Sequence, residues 1–129
     1  MIVLVRGGKE FTLREQQIRL NTTHLRAIYT MLTMLPPFNK WKMPDEYRVK
    51  FALTKSTRLC GLYDSDPHRI WLSTLQNTTM SEAIMTMAHE ALHLKLERDG
   101  EANHEEHNKV WDKHAKEICD VFGWDVKEF

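Results

Sequence analysis

The sequence predicts an α+β fold: an N-terminal helix, a small, mostly antiparallel three-stranded sheet, a long central helix and a C-terminal helix. Three observations predict it. Apolar residues recur at helical spacing before residue 36, strand-like alternation fills much of 47–74, and two capped, helix-periodic runs occupy 79–122. The 129 residues read as a single domain, with a helical part at 1–40, the sheet at 47–74 and the two helices at 79–122.

The first helical segment is expected over about 11–35, with residues 11–20 open between a separate helix and an arm. Leu25, Ile28, Leu32 and Leu35 make one apolar face, Asn21 or Thr22 can cap it, and Pro36-Pro37 stops it. Residues 47–54 alternate apolar and polar up to Ala52, which suits a half-buried strand. A second strand is expected at 59–63 around Gly61. After the turn residues Asp64-Ser65-Asp66-Pro67, a third is expected at 68–74, with Ile70 and Leu72 on one side and Trp71 on the other.

Thr79-Met80-Ser81-Glu82 is a capping box ahead of an apolar run, which predicts a helix from about 80 to 98 ending at Asp99-Gly100. Ile84, Met87, Ala88, Ala91 and Leu92 give it a wide apolar face, the mark of a central, buried helix. The last helix is expected over 104–122, stopping near Gly123.

Composition narrows the function classes. The chain is 42% hydrophobic and 28% charged, as globular domains are. Lys plus Arg equals Asp plus Glu at 18 each, so net charge does not support a nucleic-acid partner. The basic run of Lys40, Lys42, Arg48, Lys50, Lys55 and Arg58 reads as a solvated face. The apolar start, residues 1–5, is too short for a signal peptide or a membrane span. Cys60 and Cys119 belong to no C-x-x-C pair and suit a reducing compartment, so a cytoplasmic protein without membrane contact is expected. Trp41, Trp71, Trp111 and Trp124 and the seven methionines read as packing residues.

The central helix contains His89-Glu90-Ala91-Leu92-His93, an H-E-x-x-H motif. Residues four apart stand one turn apart on the same helix face, so two imidazoles there can reach one zinc ion. The adjacent Glu90 is then placed to take a proton from an attacking water and pass it to a leaving amine. Residue frequencies alone would produce the pattern in about 3% of chains of this composition. Its place inside a capped amphipathic helix adds weight.

A catalytic zinc needs a third protein ligand and an open position. The downstream candidates are Glu97, Glu101, His104, Glu105, Glu106, His107 and His114. The short H-E-x-x-H-x-x-G-x-x-H pattern is absent, because Leu96 and Asp99 stand where its glycine and third histidine would be. On the predicted last helix His107, Trp111, His114, Ile118 and Phe122 share one face, which favours His107, with His104 or a glutamate as alternatives. Glu105, Glu106, Asp112 and Glu117 could orient a ligand from outside. Tyr63 and His68, near strand ends, are candidates for an oxyanion donor.

The segment from Tyr47 to Trp124 resembles the SprT-like metalloprotease domain. The family's second helix opens with H-G-x-x-F, matched here by His107-Asn108-Lys109-Val110-Trp111, with Asn for Gly and Trp for Phe. Thirteen residues separate His93 from His107, a spacing similar to the family's. Arg58-Leu59-Cys60-Gly61 and Arg69-Ile70-Trp71-Leu72-Ser73 resemble its strand pair. The resemblance implies a zincin-like fold, His89, His93 and His107 as zinc ligands, Glu90 as the catalytic residue, and a protein or peptide substrate. Family members are best known for cleaving DNA-associated proteins, usually through a separate DNA-binding part that these residues do not contain. Two other readings stay open: a non-catalytic zinc-binding interaction module, and a metal-dependent hydrolase of another class such as a three-histidine endoribonuclease, which Leu92-His93-Leu94 superficially resembles.

Overall fold

In the computed structural model, residues 2–6, 9–13 and 17–129 are described, the first two stretches by backbone alone. Those two stretches are strands, β1 (Ile2–Arg6) and β2 (Lys9–Leu13), paired antiparallel with Ile2 opposite Leu13. Residues 11–13 therefore belong to a strand rather than a helix. Residues 14–16 of the expected helical segment lie outside the described residues, and Gln17 forms an isolated bridge with Thr79.

The first helix, α1 (Thr22–Thr33), starts where a cap becomes available. The Asn21 side chain accepts from the His24 amide, and the His24 ring accepts from the Asn21 amide. Leu25, Ile28, Tyr29 and Leu32 form its buried face. Leu35 falls beyond the last turn and is half exposed. The chain then passes through single 3-10 turns at Phe38–Lys40 and Glu46–Arg48.

Three strands form the second sheet: β3 (Lys50–Thr54), β4 (Gly61–Asp64) and β5 (Arg69–Ser73), in the order β3-β5-β4. The sheet is mixed. β4 and β5 form an antiparallel hairpin, whereas β3 runs parallel to β5 with Lys50 opposite Arg69. Residues 55–60 cross the end of β5, where Ser73 Oγ donates to the Ser56 carbonyl at 2.6 Å and the Ser73 amide donates to the Cys60 carbonyl at 2.9 Å. This crossing puts β3 on the far side of the hairpin and leaves β4 as an edge. Ile70 and Leu72 are fully buried while Trp71 is half buried, as the alternation of β5 predicts.

The central helix, α2 (Met80–Arg98), has the predicted limits and the predicted capping box: Thr79 accepts from the Glu82 amide, and Glu82 reaches back to the Thr79 amide. Ala83, Met87, Ala88, Ala91 and Leu92 are fully buried, and so are Leu94 and Leu96. The core lies between α1, β5 and α2, and Trp111, Ala115 and Ile118 of the last helix close it. That helix, α3 (Lys109–Phe122), begins later than the 104 expected, because the Asn108 side chain accepts from both the Val110 and Trp111 amides and starts it there. Left-handed Gly123 ends it. Both cysteines are free thiols. Among the described residues, no helix is long and apolar enough to cross a membrane.

Candidate metal centre

The middle of α2 lies under the edge strand. A Cβ on Gly61 would sit 2.7 Å from Thr86 Cγ2, 3.0 Å from the Trp71 carbonyl oxygen and 3.1 Å from Glu90 Cγ. Only a residue without a side chain allows so close an approach, and this contact sets β4 against Glu90. Buried Asn77 secures the junction. Its amide nitrogen donates to the Cys60 and Ser73 carbonyls at 2.9 and 2.8 Å, and its oxygen accepts from Thr86 Oγ1 at 2.6 Å.

On this helix His89 and His93 stand one turn apart, with ring centroids separated by 5.1 Å. His107 joins them at 4.9 Å from His89 and 5.3 Å from His93. One ligand atom from each of the three lies within 4.8 Å of the others, and the trio could hold a metal ion. His107 does so from an exposed loop position just before Asn108, not from a helix face. The indole of buried Trp111 supports it: the two rings stack at 4.2 Å and 9°, and the same indole contacts His93 at 4.3 Å and His89 at 4.6 Å.

Hydrogen bonding decides which nitrogens are free. His89 Nδ1 lies 2.5 Å from the main-chain oxygen of Phe129, and His93 Nδ1 lies 2.8 Å from the carbonyl oxygen of His104. Since an oxygen accepts, each Nδ1 carries the proton and each Nε2 is left with its lone pair. The outside partners of these two rings are thus main-chain oxygens, not Glu105, Glu106, Asp112 or Glu117. His93 Nε2 is 3.3 Å from His107 Nε2. Two nitrogens bound tetrahedrally at zinc distances stand roughly 3.3–3.4 Å apart, so the spacing suits a shared ion.

Burial sets the electrostatics. Desolvation pushes His89 down to about 4 against the opposing pull of the Phe129 oxygen, and it lowers His93 as well. Both rings are therefore neutral near pH 7, the form that binds metals. Glu90, 6% exposed, is raised to about 7 by desolvation. Near neutral pH it can exist in either protonation state, as an acid–base group requires.

The other candidates have different places. Glu97 Oε2 accepts from the Tyr63 hydroxyl at 3.2 Å, and that hydroxyl lies 2.5 Å from His68 Nδ1. Tyr63 shares a small cavity with Glu90, His93 and Glu105, and burial raises its hydroxyl well above the usual phenol range. His68 lies behind it, on a separate cavity beside Lys42, Arg48 and Arg98. His104 contributes its carbonyl rather than its ring, and His114 Nδ1 lies 3.3 Å from Glu117 Oε1 beside Trp41.

Sequence reasoning missed three contributors. The sequence marks Trp111 as a packing residue and as the counterpart of the SprT-like motif's Phe but not as a platform for the three rings, the close approach at Gly61 is signalled only by a glycine inside a strand, and Phe129 carries no local signal. No protein-family model, no curated protein and no solved structure matches the chain.

Proposed function

We propose that the protein is a zinc-dependent endopeptidase of the SprT-like, zincin type, with His89, His93 and His107 holding the ion and Glu90 as general base. The observation that carries this reading is the convergence of three imidazoles, two with their Nδ1 atoms tied to main-chain oxygens, beside a buried glutamate. A zinc ion bound there supplies Lewis acidity, which makes a water nucleophilic near neutral pH and polarises a scissile carbonyl.

The chain's own residues supply the rest. Glu90 takes the proton of the attacking water and returns it to the leaving amine. The free edge of β4 offers main-chain groups to an extended peptide, which binds as an added strand without strong sequence demands. The substrate is a protein or peptide, and DNA-associated proteins are the class that the SprT-like resemblance suggests. With two free thiols, the cytoplasm is the proposed location.

Zinc content of the purified protein tests the reading, measured beside His107→Ala and Glu90→Gln. The expected result is one zinc per chain in the parent, marked loss in His107→Ala, and retained zinc with abolished cleavage of an unfolded protein in Glu90→Gln. Full zinc with no Glu90-dependent cleavage would leave a zinc-binding module. Cleavage of RNA instead would favour the endoribonuclease reading.

A further inference from the structure

A cleft of about 400 Å³ opens directly beside His89 and Glu90, between the approach to β4, the first half of α2 and the end of the chain at Glu128 and Phe129. Its size lies within the range of pockets that enclose a small ligand or a large side chain. Leu59, Met85 and Phe129 give it an apolar lining. Its charged residues are Arg58, Glu82, Glu90 and Glu128, of which Glu82 is taken up by the cap of α2.

The wall supplied by residues 124–129 is tied to the site itself. Left-handed Gly123 turns the chain back at the end of α3, and the amides of Gly123 and Trp124 both donate to the Cys119 carbonyl. The Trp124 ring stacks on Phe122 at 4.8 Å and lies 6.1 Å from the Phe129 ring. Phe129 then sits 5.4 Å from His89 and 5.9 Å from Trp111, ring to ring. Its main-chain oxygen holds His89 Nδ1. One residue thus orients a metal-site histidine and lines the cleft beside it.

We propose that this cleft takes an apolar side chain of the peptide substrate next to the scissile bond, and that Phe129 is its specificity-determining wall. The proposal rests on the peptidase reading and adds the kind of side chain selected. A charged side chain entering between Leu59, Met85 and Phe129 would lose hydration against three apolar walls. An apolar one would bury its surface against all three.

The test uses zinc-loaded protein and short peptide hydroxamates that differ in one side chain: Leu, Phe, Asp or Lys. Binding is measured by calorimetry for the parent, Phe129→Ala and Phe129→Leu. The parent should bind the Leu and Phe compounds at least about tenfold more tightly than the Asp and Lys compounds, the scale that one apolar pocket commands. Phe129→Ala, which keeps the main-chain oxygen, should shrink that ratio several-fold, and Phe129→Leu should restore most of it. Equal binding across the series, or an unchanged ratio in Phe129→Ala, would overturn the proposal while leaving the metal site standing. Failure of every hydroxamate to bind, with no zinc retained, would sink both.

Discussion

The two halves of the candidate metal centre are built by different means. His89 and His93 come from the middle of a nineteen-residue helix whose residues 90–96 are all buried. His107 comes from the exposed segment between α2 and α3, held by a stacked indole beneath it and an asparagine cap beside it. A helix delivers its two rings through covalent spacing and core packing, so their separation is settled once the helix folds. The third ring depends on the docking of a separate segment. The first two positions should therefore tolerate changes elsewhere in the molecule, while the third should register every disturbance at the start of α3.

The largest expected effect lies where the two halves meet. Trp111 is 4% exposed and touches all three histidine rings. Trp111→Ala should cost about 3–5 kcal/mol of stability in denaturant titrations, the usual range for a buried aromatic. It should also weaken zinc binding through His107. Retained stability would mean that the indole is not a shared platform, and the contrast between the two halves would lose its hinge.

Zinc affinity addresses the two halves directly. His93→Ala and His107→Ala should each weaken binding by more than about 100-fold in a chelator competition, beyond what outside partners command. Their residual sites should differ. His93→Ala leaves one helical ring and one loop ring, whereas His107→Ala keeps the preorganised helical position of both remaining rings. Tighter residual binding in His107→Ala is the expected order, and the reverse order would break the comparison.

The same contrast separates what was legible in the sequence from what was not. α2 was readable to its limits, because Thr79 and Glu82 form a reciprocal cap and Gly100 adopts a left-handed conformation just beyond its end. His107 was singled out from a helix face that does not extend to it. Its actual placement follows from Asn108, a strong N-cap residue standing where the SprT-like motif has glycine. The parallel pairing of β3 with β5 was not legible, since five-residue strands carry no mark of their partners and residues 55–60 decide the crossing. Nor was Phe129 legible as the partner of His89, forty positions away, because a contact to a main-chain oxygen leaves no residue-type signature.

A smaller effect is expected at Gly61, on the helical half. Gly61→Ala would place a methyl 2.7 Å from Thr86 Cγ2 and 3.0 Å from the backbone oxygen of Trp71. The strand must then move away from α2, at about 1–3 kcal/mol. Glu90 loses its cover on that side, so on the peptidase reading turnover should fall while zinc content holds. Parallel losses of zinc and turnover would show that β4 supports the histidines as well as Glu90.

The smallest effect discriminates best, because two caps can be compared at nearly equal energetic cost. Thr79→Ala removes the side-chain acceptor at the start of α2, and Asn108→Ala removes the acceptor that serves both Val110 and Trp111. Each should cost about 1 kcal/mol of stability. His89 and His93 lie deep inside their helix, so Thr79→Ala should leave zinc affinity unchanged. His107 is the neighbour of Asn108 and stacks on the residue whose amide Asn108 holds, so Asn108→Ala should lower zinc affinity several-fold beyond its effect on folding. Asn108→Asp keeps the acceptor and should restore both quantities. Equal zinc affinities in the two alanine variants would mean that stacking on Trp111 alone positions His107, and that its loop is as well ordered as the helix it faces.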